Sequence, residues 1–140
     1  MTANPDAAMR FHSLHRASTI LLLANIWDAG GARLVENLGA PAIATTSAGV
    51  AWSHGYRDGN ALPRDLLLQT VKSIARVTRA PLTVDIEAGY SDDAGEVETL
   101  ITQLIDAGAA GINIEDGADP RELLCAKIAA AKRAASRSGV

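Results

Sequence analysis

The stretch Pro81–Tyr90, Pro-Leu-Thr-Val-Asp-Ile-Glu-Ala-Gly-Tyr, places two carboxylates at the end of an otherwise apolar predicted strand. On an extended segment alternate side chains face opposite ways, which predicts one apolar and one polar face: Leu82, Val84 and Ile86 against Thr83, Asp85 and Glu87. Two carboxylates side by side repel each other. Such a pair before a Gly is typical of a strand end that holds a cation or shifts the pKa of one acid. The alternative is an edge strand with a solvated polar face.

The composition indicates one globular domain, residues 1–140, with 48% hydrophobic and 21% charged residues. The formal net charge is −3 without a block of like charges, so neither nucleic acid nor a membrane is an expected partner. No apolar run approaches the ~20 residues of a membrane helix, and the first residues lack a signal-peptide core, so we expect a cytoplasmic protein. Cys125, the one cysteine, lies in a Leu- and Ala-rich stretch that favours a buried, inert thiol over a nucleophile.

A repeated pattern of aliphatic run, turn and amphipathic helix fills the chain after a short predicted helix, Pro5–Ser18. The aliphatic runs predict strands at Thr19–Ala24, Pro41–Thr46, Pro81–Glu87 and Gly111–Glu115. Strands that alternate with helices predict right-handed βαβ units and a parallel sheet. His12 and His15 share a face of the first helix, and we interpret them as surface or packing histidines.

The helices show helical hydrophobic spacing with recognisable ends. Leu67, Val71 and Ile74 follow this spacing in a helix opened by Pro63, and Gly108 is placed to end the next helix in a left-handed conformation. The apolar stripes of the last two helices are Val97, Leu100, Ile101, Leu104 and Ile105, and then Leu124, Ile128, Ala131 and Ala135.

Four βα units make up half of a (β/α)8 barrel or most of a doubly wound sheet. A doubly wound sheet buries both strand faces, whereas the inner face of a barrel admits polar residues near the active end. Ile112 and Ile114 alternate with Gly111, Asn113 and Glu115, as the apolar and polar residues of the third strand do. We therefore predict an α/β fold, the first four βα units of a (β/α)8 TIM barrel, with its site at the carboxyl ends of the strands.

Acidic residues gather at these predicted strand ends. Asp85 and Glu87 end the third strand, Glu115 and Asp116 end the fourth, and Asp58 lies in the long loop after the second. Oxygen ligands without His or Cys suit Mg²⁺ or Mn²⁺. The alternative is that acids cap helices or are solvated in loops, and it fits one group of acids well: Asp28, Asp92, Asp93 and Asp119.

A second, weaker signal is Thr45-Thr46-Ser47-Ala48-Gly49, whose small residues let backbone N–H groups approach an anionic oxygen or simply suit a tight turn. The sequence contains no GxGxxG, GxxxxGK[ST], CxxC or HExxH motif, which removes the standard nucleotide, redox and zinc interpretations.

The order and spacing of five motifs resemble the isocitrate lyase/phosphoenolpyruvate mutase superfamily over nearly the whole chain from Phe11 onward. The motifs are Asn-Ile-Trp-Asp-Ala-Gly at 25–30, Thr-Thr-Ser-Ala-Gly at 45–49, Gly-Tyr-Arg-Asp-Gly at 55–59, Val-Asp-Ile-Glu-Ala-Gly-Tyr at 84–90 and Gly-Ile-Asn-Ile-Glu-Asp at 111–116. The resemblance implies a (β/α)8 enzyme, commonly a homo-oligomer, that uses Mg²⁺ or Mn²⁺. It implies that the enzyme makes or breaks a C–C or C–P bond of a small 2-oxo or 2-hydroxy acid, or a phosphono acid, through an enolpyruvate-like species.

The resemblance also implies roles for individual residues. Asp85 would be the most direct metal ligand, and three further acids would order the metal's waters: Glu87, Glu115 and Asp58. Backbone amides and side chains of the first two loops would hold the substrate: Ser47, Ala48, Gly49, Trp27 and Asp28. Tyr90, close in sequence to the acids, is our candidate for the acid/base.

Three departures from the family pattern affect the expectations. The Lys-Lys-Cys-Gly-His type loop of the lyase branch is absent, because Glu115-Asp116 leads through Gly117-Ala118-Asp119 into Pro120. Arg57 and Gly31 stand where Pro and Ser are expected. The chain stops at Val140, where the fifth strand of the family should begin, so we expect an incomplete half barrel whose exposed strand edges favour self-association. The competing hypothesis is a catalytically silent half barrel that retains the metal-binding acids.

Overall fold

The computed structural model describes residues 3–140 and contains four strands and six helices in the order expected of βα repeats. The elements are α1 Pro5–His15, β1 Ala24–Ile26, α2 Ala29–Asn37, β2 Ile43–Thr45, α3 Ser47–Ser53, α4 Arg64–Val77, β3 Leu82–Asp85, α5 Ala94–Ala107, β4 Gly111–Asn113 and α6 Arg121–Ser138. Among these residues, no helix is both long enough and apolar enough to cross a membrane.

The strands form one parallel sheet in the sequential order β1-β2-β3-β4. Ala24 pairs with Ile43, Ile43 pairs with Leu82, and Asp85 at the end of β3 pairs with Asn113 at the end of β4. Because the strands run in parallel, their carboxyl ends meet at one edge of the sheet. This sequential order confirms the predicted α/β fold of barrel type, since the order of a doubly wound sheet reverses at a switch point.

The apolar core lies between the sheet and a layer of helices. Leu82, Val84 and Ile86 of the β3 segment are buried there with the apolar stripes of α4 and α5, and α5 packs in turn against α6. The alternation predicted for Leu82–Asp85 is therefore confirmed, because Thr83 and Asp85 lie on the other face and line a cavity of about 310 Å³. Gly108 ends α5 in a left-handed conformation, φ +111°, as the sequence predicts.

The first helix contributes one aromatic ring to that other face of the sheet. A Cβ added to Gly111 of β4 would lie 2.5 Å from Cε1 of Phe11 and 3.3 Å from the hydroxyl oxygen of Thr83. The Phe11 ring therefore occupies the space above β4, where only a glycine fits. His15 packs edge-on against the same ring, with 4.4 Å between ring centroids, and its Nδ1–H donates a hydrogen bond to the Phe11 carbonyl oxygen, 2.9 Å away.

The first strand begins later than the sequence predicts. The aliphatic run Thr19–Ala24 contributes only its last residue to β1, and Ile20 and Leu22 are 84% and 78% exposed. The register places Leu22 opposite Pro41, just before β2, and Pro41 has no N–H to donate to a ladder. The run before Ala24 thus lacks a partner, and pairing starts where β2 offers one.

The last helix also differs from expectation. Its buried residues are Lys127, Ala130 and Ala134, whereas Ile128 is partly exposed. Three residues of the predicted stripe, Ile128, Ala131 and Ala135, line an open apolar groove beside β4, together with residues of α5. Cys125 is exposed, contrary to the prediction, because it lies on the side of α6 away from Lys127 and α5.

We predict that Gly111→Ala lowers the free energy of unfolding by about 1–3 kcal/mol, because the new methyl group overlaps the Phe11 ring. In a Phe11→Ala background the ring is gone and the penalty of Gly111→Ala should shrink. Urea unfolding of the four chains measures this coupling. Gly30→Ala is the control, since an added Cβ there meets its nearest atom at 3.4 Å. Equal costs in both backgrounds would contradict the packing described here.

Candidate active site at the carboxyl ends of the strands

Asp85 is a partly buried carboxylate at the end of β3, fixed by hydrogen bonds on both sides. Its carboxylate accepts from the backbone N–H of Ser47, at 3.1 Å, and from that of Glu87, at 3.0 Å. Its own N–H donates to the hydroxyl oxygen of Thr45, 2.9 Å away. The Asp85 carboxylate is thus held at the junction of β2, β3 and the start of α3.

Glu87 is a buried carboxylate, 4% exposed, in a left-handed backbone conformation with φ +51°. One carboxylate oxygen accepts from the phenol of Tyr90 at 2.9 Å, and the other accepts from the backbone N–H of Asn60. Asn60 also accepts, through its side-chain oxygen, from the N–H of Tyr90 at 3.2 Å. Glu87, Tyr90 and Asn60 therefore form one closed network.

Tyr90 is a neutral hydrogen-bond donor in this arrangement. Burial raises the pKa of its phenol well above the usual value, and the charge of Glu87 together with their hydrogen bond raises the pKa further. The charges of Asp85 and Asp58 act on the Tyr90 pKa in the same direction, because both carboxylates lie near the phenol. Arg64 donates to the Tyr90 carbonyl at 2.6 Å and pairs with Glu96 at 2.9 Å.

Glu115 and Asp58 lie around this network with exposed side chains. The backbone N–H of Glu115 donates to the Glu87 carbonyl at 2.9 Å, which ties the ends of β3 and β4 together. Asp58 lies in the loop between α3 and α4, whose Asn60 contacts Glu87. Three neighbouring loops thus bring the predicted acids to one edge of the sheet.

Asp85, Glu87 and Glu115 lie at the same edge of the sheet, but they do not form a ready cluster of direct metal ligands. Within residues 3–140 no three His, Cys, Asp or Glu side chains are close enough together to hold a metal ion. The reason is the left-handed backbone at Glu87, which ends the strand alternation and directs the side chain toward Asn60 and Tyr90. The donor set still suits Mg²⁺, because that ion takes one or two carboxylates and keeps several waters.

The small residues after β2 pack closely against the first loop. A Cβ added to Gly49 would lie 2.7 Å from the Thr46 methyl group and 3.0 Å from Cε3 of Trp27, so this position requires glycine. Trp27 is half-exposed, and Ser47, Ala48 and Gly49 are partly buried in the first turn of α3. Asp28 caps α2 by accepting from the Gly31 N–H at 2.6 Å, as the capping alternative predicts.

The other three acids proposed as helix caps have two different roles in the structure. Asp93 caps α5 by accepting from the Glu96 N–H at 2.9 Å. Asp92 and Asp119 instead lie 3.7 and 3.5 Å from the ammonium of Lys127. Neither residue caps a helix, because Asp93 is the N-cap of α5 and Pro120 that of α6. Asp92, whose side chain is 85% exposed, is a solvated loop acid, as the same alternative expects.

Sequence reasoning missed the residues that hold the acids in place: Asn60, Arg64 and Lys127. Each acts through a contact distant in sequence, with the Glu87–Tyr90 segment. The position of Arg64 just after a helix-opening proline gave no sign of its contact with Tyr90. Asn60 offered the one usable signal, since Asn in a glycine-rich loop often adopts the left-handed conformation that it has here, φ +57°.

Four parallel βα units in sequential order, with acids at the carboxyl ends of the strands, are the architecture of half of a (β/α)8 barrel. The model of the phosphoenolpyruvate phosphomutase family matches residues 11–140. The chain therefore belongs to this family, within the isocitrate lyase/phosphoenolpyruvate mutase superfamily.

Individual relatives support this assignment. A provisionally named phosphonomutase from Burkholderia cenocepacia has a TM-score of 0.91 and 41% identity, and the match covers 97% of this chain and 56% of that one. The 2-methylisocitrate lyase of Escherichia coli is 36% identical over 114 residues, 81% of this chain and 38% of that protein. A phosphonopyruvate hydrolase, solved with oxalate and Mg²⁺, has a TM-score of 0.80 and 26% identity over 96% of this chain and 48% of that one. The chain spans about half the length of the curated relatives that it matches first.

We predict that Tyr90 stays neutral in the folded chain at pH values above its ordinary pKa of about 10. The folded chain binds this proton more tightly than the unfolded chain. The contribution of Tyr90 to the free energy of unfolding is therefore fully present below pH ~10 and is lost as the pH rises further. Tyrosinate absorbance in a Tyr56→Phe background follows Tyr90 alone. Glu87→Gln should lower the Tyr90 pKa, and ionisation of Tyr90 near its ordinary pKa in the folded Tyr56→Phe chain would contradict the network.

Proposed function

We propose that this protein is a divalent-metal-dependent enzyme that makes or breaks a C–C or C–P bond of a small 2-oxo, 2-hydroxy or phosphono acid. The observation that carries the proposal is the Asp85 carboxylate, held at the end of β3 by the N–H groups of Ser47 and Glu87. The Mg²⁺ and oxalate bound by the related phosphonopyruvate hydrolase support the choice of metal and of a small acid.

In this proposal Asp85 holds Mg²⁺ or Mn²⁺ directly, and Glu87, Glu115 and Asp58 act through the waters of the metal. The bound cation would supply positive charge that polarises a 2-oxo group and stabilises enolate character in the substrate. The donor set is consistent with this cation because it consists of carboxylate oxygens. Asn60 and Tyr90 hold the Glu87 carboxylate in place before any ligand binds.

The substrate carboxylate or phosphonate would lie against Ser47, Ala48 and Gly49, with Trp27 and Asp28 in the first loop. Gly49 allows the close approach of Trp27, so a side chain at 49 would displace this wall. Tyr90 stays our candidate for the acid/base on its position beside the acids. Its raised pKa makes the neutral phenol a weak acid at neutral pH, and its proton is donated to Glu87.

The competing proposal is a catalytically silent half barrel that binds the metal without turnover. The coverage is what supports this proposal, since the chain spans about half the length of its curated relatives. In both proposals residues 1–140 form one half-barrel domain in the cytoplasm. Turnover of 2-oxo and phosphono acids by the 140-residue chain, with and without Mg²⁺, separates the two.

We predict that Mn²⁺ or Mg²⁺ raises the stability of the chain and that Asp85→Ala abolishes this effect. A ligand that binds only the folded state adds about 2.7 kcal/mol at a concentration of 100 times its Kd. Thermal melting with and without metal measures the shift. The informative quantity is the shift itself, because removing a carboxylate from neighbouring acids also changes the stability in metal-free buffer.

Asp106→Asn is the matched control for Asp85→Ala, since Asp106 is an exposed acid in the last turn of α5, away from the strand ends. It removes one negative charge and should leave the metal-induced shift intact. An unchanged shift in Asp85→Ala would rule out Asp85 as the direct ligand. A wild-type chain without any shift would contradict the metal site altogether.

We also propose that the chain self-associates, because β1 and β4 each have one strand edge without a partner among the described residues. An apolar groove runs beside β4 and is lined by residues that include Ile112, Ile128 and Ala131. Sedimentation over a concentration series should show a rising average mass, and Ile112→Lys should weaken the association. Leu38→Lys, at an exposed leucine after α2, is the control. A stable monomer at high concentration would contradict this proposal.

A further inference from the structure

The segment Ile86–Tyr90, called here the β3 loop, turns through several left-handed residues directly after the strand. Glu87, Gly89 and Tyr90 have φ values of +51°, +91° and +60°. Non-glycine residues keep such conformations only where surrounding contacts fix them. The contacts that fix the β3 loop therefore also fix the carboxylates of Asp85 and Glu87.

Two basic side chains from different helices hold backbone carbonyls of the β3 loop. From α4, Arg64 donates to the Tyr90 carbonyl at 2.6 Å. From α6, the ammonium of Lys127 donates to the Ala88 carbonyl at 2.8 Å. Ala88 immediately follows Glu87, so Lys127 acts on the peptide unit next to a proposed site residue.

Lys127 is unusual because its side chain is 2% exposed, in the stripe of α6 that packs against α5. Burial of an ammonium group is unfavourable unless it is paired and hydrogen-bonded. Lys127 meets this requirement at the two loops: it contacts Asp92 after β3 and Asp119 after β4, in addition to the Ala88 carbonyl. An apolar residue would pack in this stripe without needing ion pairs or hydrogen bonds. The presence of a lysine therefore indicates a role beyond packing.

We propose that Lys127 is the positioning residue of the metal site, which fixes the β3 loop and thereby the carboxylates of Asp85 and Glu87. This inference rests on the proposed function. Lys127 reaches no reacting group itself; it links α6 to the loops after β3 and β4. Removing the ammonium should free the Ala88 carbonyl and let the left-handed residues relax, which moves Glu87 away from Asn60 and Tyr90.

The test compares Lys127→Met, Lys127→Gln and Lys127→Arg in the full 140-residue chain. Hydrogen exchange measured by NMR reports on the amides of Glu87, Gly89 and Tyr90, each of which donates a hydrogen bond in the structure. Mn²⁺ titration followed by the signal of free Mn²⁺ gives the metal affinity, and thermal melting gives the stability. Lys127→Gln serves as the neutral variant if Lys127→Met does not fold.

Two controls separate positioning from general stabilisation. Lys132→Met removes another lysine of α6, which is exposed. Arg137→Gln weakens the ion pair of α6 with Glu98, in the last turn of α6, at the end of the helix away from Lys127. Arg137→Gln should lower the melting temperature without changing exchange in the β3 loop or Mn²⁺ affinity.

We expect the neutral variants to speed exchange of the loop amides on the order of tenfold and to weaken Mn²⁺ binding at least about tenfold. Lys127→Arg should retain most of both properties. A neutral variant with wild-type exchange and Mn²⁺ affinity, changed only in melting temperature, overturns the inference. If the wild-type chain binds no Mn²⁺, the proposed function fails, and exchange alone still decides whether Lys127 holds the loop.

Discussion

The change from an extended to a left-handed backbone conformation at Glu87 is the constraint on which the candidate site depends. Up to Ile86 the chain is extended and its apolar side chains are fixed in the core; one residue later the backbone is left-handed. Because of this turn, the Glu87 carboxylate does not lie on the polar face of the strand; it accepts hydrogen bonds from Tyr90 and Asn60 instead. Asp85 stays behind at the sheet edge, so two acids that are close in sequence acquire different surroundings.

That difference decides what each acid can do. A carboxylate that accepts from a phenol and a backbone N–H inside the protein is a fixed structural anchor that ties the β3 loop to the loop before α4. Asp85, which is more exposed and accepts only from backbone N–H groups, keeps lone pairs free for a cation. Repulsion between neighbouring carboxylates is thereby reduced without neutralising either of them with a basic side chain.

Much of this could be predicted from the sequence, because period-two alternation in Leu82–Asp85 and helical spacing in α4 and α5 are local properties. The prediction failed where a distant partner decides the outcome. Pairing of the first strand starts only after Pro41 on its neighbour, and Lys127 is buried because two loops surround it. The left-handed conformation of Glu87 gives no local signal either, since it depends on Asn60 and Tyr90.

The most direct test of the central claim is a crystal structure of the chain grown with Mn²⁺ and oxalate, with the metal located by its anomalous scattering. We expect one peak at the carboxyl end of β3, in contact with the Asp85 carboxylate, while Glu87 keeps its contacts with Tyr90 and Asn60. A peak elsewhere, or density for neither metal nor oxalate near Asp85, would contradict a metal site at Asp85.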